Sequence, residues 1–299
     1  MRLGFIGLGR MGKNMVLHLL EKNHEVVAFD SAIEPIKEVE KKGAIAANSI
    51  QELMQKLSSP KIVWIMVPAG EPVDEVIAQL LPFLQKEDIV IDGGNSFFED
   101  SIRRAKQLEA KAIHFLDIGT SGGIEGARHV ASMMIGGNKQ AFKKIEPIIK
   151  HMCVENGYGY MGESGSGHFV KMVHNGIEYG MMSALGEGMQ ALKSHEQKFS
   201  LNLDQAVKAY AHGSIIEGKL SSWLWNSFQQ EGYLEEISCI VPKGETEEEM
   251  KKLSKLSEMP ILEESIAMRE RTREKEFFAG KIIAALRNQF GGHKVIKEK

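Results

Sequence analysis

The stretch RLGFIGLGRMG, residues 2–12, decides how the N-terminal half folds. A short apolar run, RLGFI, reads as a buried strand; three glycines follow at the spacing G-x-G-x-x-G, and an apolar, helix-forming segment runs on to about Lys22. Working outward, EVVAF (25–29) reads as a second strand, Ile33 to Lys41 as a helix, and IVWIMV from Ile62 as a third strand. Further strands are expected at Asp88 to Asp92 and Ile113 to Ile118, with helices beginning near Glu71 and Glu99. SMMIGG and a helix from about Lys139 to His151 complete the series. Short apolar strands alternating with helices require a parallel sheet covered on both faces, because each crossover helix packs back onto the sheet. The expected class is α/β, with a Rossmann-type, doubly wound, mostly parallel sheet.

In Gly7-Leu8-Gly9-Arg10-Met11-Gly12, the first glycine permits a tight turn. The second lets a pyrophosphate approach the backbone, and the third brings helix and strand together. The N–H groups that open the helix then face the phosphates. Asp30 ends the second strand 18 residues after Gly12, where a carboxylate accepts hydrogen bonds from the adenosine ribose hydroxyls and repels a 2′-phosphate. The expected cofactor is NAD rather than NADP, with Arg10 beside the pyrophosphate turn. Two further loops sit at carboxyl ends of strands, where open α/β sheets bind ligands. Val67-Pro68-Ala69-Gly70 is expected along the nicotinamide half, and Gly93-Gly94-Asn95-Ser96 offers an amide that both donates and accepts. After HFLDIG, the run Thr120-Ser121-Gly122-Gly123 presents a hydroxyl and two glycine N–H groups suited to a carboxylate or hydroxyl.

From Gly165 the alternation ends, and helical patterns run nearly to the C-terminus. The expected division is a nucleotide-binding domain over 1–164 and a helical substrate-binding and oligomerisation domain over 165–299. The segment GSGHFVKMVHNGIEYGMMSALGEG (165–188) belongs to one helix from about Ser166 to Lys193, roughly 40 Å long at 1.5 Å per residue. Lys171, His174, Asn175 and Glu178 are spaced i, i+3, i+4 and i+7, which stacks them on one face. A base and an acid on that stripe are suited to one small molecule. Glu245 to Lys252 reads as solvated, and Trp223 and Trp225 as helical core.

Composition narrows the class. With 299 residues and 43% hydrophobic content, two ordinary cores are within reach. The formal net charge of −3 leaves no electrostatic footprint for nucleic acid or an anionic membrane. Cys153 and Cys239 are the only cysteines and show no paired spacing, so neither a disulfide framework nor a zinc motif is expected. The chain starts directly on a strand and holds no apolar run approaching 18 residues, so a cytoplasmic location is the default expectation.

GLGRMG, MVPAG, IDGGNS, SGGIEGAR, GHFVKMVHNGIEYG and LRNQFGGH, in that order, resemble the decarboxylating 6-phosphogluconate dehydrogenases of the β-hydroxyacid dehydrogenase superfamily. The resemblance extends from residue 1 to about 293, and at this length it is to the short, NAD-preferring class. It implies a place in the pentose phosphate pathway and gluconate utilisation. It also implies that Lys171 removes the C3 hydroxyl proton as hydride leaves C3, which requires the amine to bind substrate neutral. The 3-keto acid then loses CO₂, Lys171 stabilises the enol oxygen, and Glu178 protonates C1 to give ribulose 5-phosphate. No metal is implied, since the β-keto group is the electron sink. Asn95, Ser121, Gly122, Gly123, His174 and Asn175 would hold the carboxylate and hydroxyls, with Asn95 and His174 at the catalytic centre. Tyr179 would touch the phosphate, and Arg269 matches an arginine of the family's helical domain. Arg287 and His293 resemble C-terminal phosphate ligands that reach in from a neighbouring subunit, which implies a homo-oligomer, dimer or tetramer. The long form's additional lysine ligand has no counterpart near Lys219 or Lys243.

Two other functions fit parts of the pattern. An NAD-dependent dehydrogenase of a smaller 3-hydroxy acid such as 3-hydroxyisobutyrate would keep Lys171 and the glycine turn without needing Tyr179, Arg287 or His293. A non-catalytic NAD-binding sensor would need neither Lys171 nor Glu178.

Overall fold

The computed structural model describes residues 1–244 and 246–297, and the chain divides into two compact units, Met1–Lys171 and Met172–Lys299. The first carries an eight-stranded sheet in the order β3-β2-β1-β4-β5-β6-β7-β8. Its strands are β1 (Arg2–Ile6), β2 (Glu25–Phe29), β3 (Ile45–Ala46), β4 (Ile62–Ile65), β5 (Ile89–Asp92), β6 (His114–Ser121), β7 (Ala131–Gly137) and β8 (Cys153–Gly162). Helices α1 (Arg10–Glu21), α2 (Ile33–Glu40), α3 (Ile50–Gln55), α4 (Glu71–Leu80), α5 (Phe98–Glu109), α6 (Gly123–Arg128) and α7 (Lys139–Met152) connect them. All neighbouring pairs are parallel except β6 with β7.

The side-chain period of two explains why the apolar strands are covered on both faces. Leu3, Phe5, Trp64, Ile89 and Ile91 enter one core with α1 and α7 residues such as Met15, Leu19, Ile145 and Ile148. Ile6, Val63, Ile65 and Val90 enter the other, against Leu53, Val73, Ile77, Ala105 and Leu108 of α3, α4 and α5. Because β1 has β2 on one side and β4 on the other, the strand order reverses there, and a crevice forms beyond the carboxyl ends of β1 and β4. Gly7 and Met66 follow those ends directly.

Strand β8 runs beyond the expected end of the sheet. Its sequence, CVENGYGYMG, is rich in glycine and faces solvent at the edge, so it lacks the apolar run that marks an interior strand. Tyr160 anchors it by donating its hydroxyl proton to the Gly137 carbonyl at 2.8 Å.

The second unit is helical. Helix α8 (Ser166–Ser194, 29 residues) begins in the first unit and continues into the second, followed by α9 (Glu196–Phe199), α10 (Leu203–Ala211), α11 (Lys219–Gln229), α12 (Tyr233–Glu236), α13 (Glu247–Leu256), α14 (Pro260–Arg271) and α15 (Phe278–Gly291). Glycines let neighbouring helices approach α8: a Cβ at Gly176 would meet Leu253 at 3.1 Å, and one at Gly186 the Ala279 carbonyl at 3.0 Å. Trp223 is half-buried beside Phe290, and Trp225 packs edge-on to His212. The expectation of a solvated stretch at Glu245 to Lys252 is corrected at Glu247. That carboxylate is buried and pairs with Arg273 and Lys251. Glu245 itself lies outside the described residues. Among the described residues, no helix is long and apolar enough to cross a membrane.

A histidine pair closes the edge of the first unit. His24 is buried, its Nδ1 lies 3.3 Å from the Met1 ammonium and its Nε2 lies 2.9 Å from His151 Nδ1. The ammonium offers only protons, so neutral His24 carries its own proton on Nε2 and donates it to His151. Burial, then the ammonium, then His151, push the His24 pKa down to about 4. A histidine held neutral in the fold loses stability as pH falls, because below about pH 6.5 the unfolded chain takes a proton that the folded chain refuses down to about pH 4. Urea unfolding between pH 7.5 and 4.5 should therefore show a loss on the order of 2 kcal/mol that is missing from His24→Gln; equal pH slopes for the two proteins would refute this.

Candidate active site

At the crevice the three glycines have distinct reasons. Gly7 has φ +97°, and a Cβ there would stand 2.3 Å from the Met66 carbonyl oxygen. A Cβ on Gly12 would lie 2.1 Å from the Gly7 oxygen. Both are demanded by the chain's own packing. Gly9 is different: nothing lies within 4 Å of the position its Cβ would take. Gly9 is also the N-cap of α1 and supplies no side chain to the helix's opening N–H groups. The start of a 12-residue helix whose cap residue adds no side-chain acceptor, beside backbone open to close approach, suits a pyrophosphate. Asp30 Oδ2 accepts from the Leu8 N–H at 2.6 Å and Oδ1 from the Ala32 N–H at 2.8 Å. The carboxylate is thus tied to the glycine turn. Arg10, Pro68 and Ala69 are exposed, and Met11 and Val67 are partly buried. These residues fit a dinucleotide.

At the end of β5, the Asp92 carboxylate is buried and accepts from the Gly94 N–H at 3.2 Å and the Ser96 hydroxyl at 2.7 Å. Gly93 lies against Trp64, whose indole nitrogen would be 2.1 Å from an added Cβ. Only Asn95 of this loop is exposed. Ser121 closes β6, Gly122 takes φ +129°, and Gly123 opens the short helix α6.

Helix α8 is fixed to the sheet by Asp117. This fully buried carboxylate accepts from the Gly165 N–H at 2.8 Å and the His168 N–H at 2.9 Å. It satisfies donors that the helix start would otherwise leave unpaired, and its charge complements the helix dipole. Gly167 and Gly136 permit the contact, since Cβ atoms there would meet the Asp117 oxygen at 2.3 Å and the Gly167 nitrogen at 2.5 Å. One turn on, Lys171 is buried, with its Cβ 2.3 Å from where a Cβ on Gly119 would stand. Beyond Lys171, α8 carries the remaining stripe into the second unit. His174 Nδ1 lies 3.3 Å from Asn175 Oδ1 and 3.9 Å from Glu178 Oε2. Asn175 is buried, while His174 and Glu178 are partly open.

Within the second unit, Tyr179 anchors a cationic cluster. The Arg269 guanidinium carbon sits 3.3 Å from the Tyr179 ring centroid, and the Tyr179 hydroxyl lies 3.1 Å from that of Thr246. Arg269 is 3% exposed, so a surface role is ruled out. Its Nη2 faces the Met182 sulfur at 3.9 Å, and among the described residues its Nε has no hydrogen-bond partner. Burial pushes its pKa down to about 10. Arg287 is also buried and donates to the Pro242 carbonyl at 2.7 Å; burial lowers its pKa, and the Glu247 carboxylate partly offsets that. Arg287 therefore belongs to the cluster of its own chain. His293 packs edge-on to Phe290. Thr246 carries no signal in the sequence: it sits three residues after Lys243, in a stretch that reads as solvated. Lys243 pairs with Glu248 at 2.7 Å on the surface. Among the described residues, no group of three or more His, Cys, Asp or Glu side chains is arranged to hold a metal ion.

Residues 2–179 match the family model for the NAD binding domain of 6-phosphogluconate dehydrogenase, and residues 167–197 match its C-terminal domain. A Haloferax volcanii protein named 6-phosphogluconate dehydrogenase, NAD(+)-dependent, decarboxylating is 39% identical over 302 residues, covering 100% of this chain and 99% of its own. A Cunninghamella elegans 6-phosphogluconate dehydrogenase, decarboxylating, is 46% identical over 232 residues, covering 74% of this chain and 47% of its own. Among solved structures, the Plasmodium falciparum 6-phosphogluconate dehydrogenase, described in apo form and in complexes with NADP+ and 6-phosphogluconate, superposes with TM-score 0.79 at 26% identity, covering 91% of this chain. This chain spans 62% of that one. A Mycobacterium tuberculosis 3-hydroxyisobutyrate dehydrogenase shares the fold, with TM-score 0.73 at 18% identity over 96% of this chain and 99% of its own. With a family model covering the whole nucleotide-binding half and a relative matched end to end, this chain belongs to the 6-phosphogluconate dehydrogenase family.

Proposed function

We propose that the chain oxidises and decarboxylates 6-phospho-D-gluconate to D-ribulose 5-phosphate and CO₂ with reduction of NAD, a step of pentose phosphate metabolism and gluconate use. The observation that carries this reading is Arg269, a guanidinium only 3% exposed, stacked on the Tyr179 ring and with its Nη2 facing the Met182 sulfur. Taking a guanidinium out of water is costly, and a phosphate dianion beside the Tyr179 and Thr246 hydroxyls and Arg287 offsets that cost. A small unphosphorylated acid such as 3-hydroxyisobutyrate has nothing to place there.

In this reading the Lys171 amine takes the proton of the C3 hydroxyl. Bound NAD supplies the acceptor for the C3 hydride. Asn95, Ser121, Gly122, Gly123, His174 and Asn175 orient the carboxylate and hydroxyls. As CO₂ leaves the 3-keto acid, the C1–C2 bonding electrons become an enol, and protonated Lys171 stabilises its oxygen. Glu178, two turns along the same helix, gives a proton to the carbon that lost CO₂. The domains are proposed as residues 1–164 for nucleotide and 165–299 for substrate and subunit association, in a homo-oligomer. Arg287 lies within its own chain's cluster, so the contribution of a neighbour's tail falls to His293.

Asp30 supports NAD over NADP, since its carboxylate is held at the glycine turn where a 2′-phosphate would meet it. The Haloferax relative is named NAD(+)-dependent, whereas the Plasmodium structure is described with NADP+.

Incubation with 6-phosphogluconate and NAD should release NADH and CO₂ in equal amounts; turnover of 3-hydroxyisobutyrate alone would overturn the assignment. Lys171→Ala should lower kcat by about 10³-fold with NADH affinity nearly intact, as for a general base. Parallel losses in both would argue against that role. Gly119→Ala places a methyl in the lysine's own stem, so kcat should drop about a hundredfold while circular dichroism stays native. In steady-state assays, Asp30→Ala should raise the NADP to NAD ratio of kcat/KM at least tenfold, and an unchanged ratio would remove Asp30 from cofactor choice.

A further inference from the structure

Arg104 on α5 is fully buried, and each of its five N–H directions meets an acceptor. Nε and Nη2 fork onto Asp74 of α4 at 2.9 and 3.1 Å, and Nη2 also donates to the Gly70 carbonyl at 2.9 Å. Nη1 donates to Asp92 Oδ2 at 3.2 Å and to the Ser96 hydroxyl at 3.1 Å. Two of these acceptors lie in different loops, Gly70 in Val67–Gly70 after β4 and Ser96 in Gly93–Ser96 after β5, while Asp74 stands on α4 and Asp92 ends β5. One planar cation therefore joins both loops. The loops also touch directly, since a Cβ on Gly94 would be 3.2 Å from the Val67 carbonyl.

We infer that Arg104 is a positioning residue for catalysis, holding these two loops as one rigid bracket that presents Asn95, Pro68 and Ala69 to the reacting end of the cofactor. Three observations carry this. Within Gly93–Ser96 every residue but Asn95 is buried, so the loop has no other contact with solvent. Asp92 alone pins only the second loop, through the Gly94 N–H and the Ser96 hydroxyl; the link to Gly70 runs through Arg104. A buried ion pair is also a poor device for stability alone, because apolar side chains of similar volume generally do as well. Five fixed hydrogen-bond directions instead impose geometry, and misplacing a reacting group by about 1 Å costs about a hundredfold in rate.

The inference rests on the proposed function for the identity of the cofactor and substrate, and the test separates the two. Arg104→Lys keeps the charge, but a single ammonium offers three donors and no fork. Asp74→Asn, at a carboxylate about a third exposed, removes one arm without leaving a fully buried charge alone. For each protein the melting temperature is measured, and kcat and KM with 6-phosphogluconate and the fluorescence of bound NADH are then read well below it. The expected result for Arg104→Lys is a kcat about a hundredfold lower and altered bound-NADH fluorescence, with NADH affinity within about threefold because the glycine turn is untouched. Asp74→Asn should lower kcat in the same direction by less. A variant that melts earlier but keeps wild-type kcat and NADH fluorescence assigns Arg104 to stability only and overturns the inference. If Arg104→Lys does not fold, Asp74→Asn decides by the same two readouts. If the wild-type enzyme turns over only 3-hydroxyisobutyrate, the substrate assignment fails, and the kcat comparison with that acid still decides for Arg104. If neither acid is turned over, the NADH fluorescence decides it.

Discussion

The buried carboxylate of Asp117 determines where the long helix starts, and much of the candidate chemistry depends on that start. A helix of 29 residues shifted or rotated by one residue would send its polar stripe about 100° away. Asp117 prevents this by accepting from both Gly165 and His168 across β6, while glycines at 119, 136 and 167 remove every side chain that would hold the helix off the strands. At Gly167 the helix backbone lies directly on the backbone of Asp117, Met134 and Gly136. Lys171 inherits its position from that contact, as its stem lies where Gly119 leaves room. Losing either N–H acceptor would leave a buried donor unpaired at about 1–3 kcal/mol each, more than thermal motion supplies.

The second unit meets a different problem, the confinement of positive charge. Arg269 and Arg287 are both buried, and their guanidinium groups face aromatic, carbonyl and sulfur partners. The nearby carboxylate, Glu247, is occupied by Arg273 and Lys251. Stacking on Tyr179 recovers part of the lost hydration of Arg269 through the ring's electron-rich face.

The fold was largely legible because its signals are local. An apolar run before a glycine turn, and the same run repeated after each helix, determine a parallel sheet whatever lies elsewhere in the chain. The stripe from Lys171 to Glu178 was legible for the same reason, as helical spacing alone puts those residues in line. Strand β8 was not, because its glycines, partly buried tyrosines and exposed Val154 to Asn156 make no apolar run and its pairing partner lies across a helix. Thr246, Glu247 and Arg104 were not legible either. Each is defined by a partner 12 or more residues away: Tyr179 for Thr246, Arg273 for Glu247, and Asp74 and Asp92 for Arg104. On sequence alone such residues cannot be told from solvated polar positions. Asp117 looked like an ordinary strand residue until the helix it caps was in place.

The gap beside Gly9 separates two kinds of necessity within one short turn. Its neighbours Gly7 and Gly12 are held by the chain's own backbone and would resist replacement in any descendant that keeps the fold. Gly9 answers only to whatever enters the crevice. In a lineage that ceased to handle dinucleotides, drift would reach the middle position first, so the rates of change at these three sites would distinguish a working enzyme from an inherited scaffold.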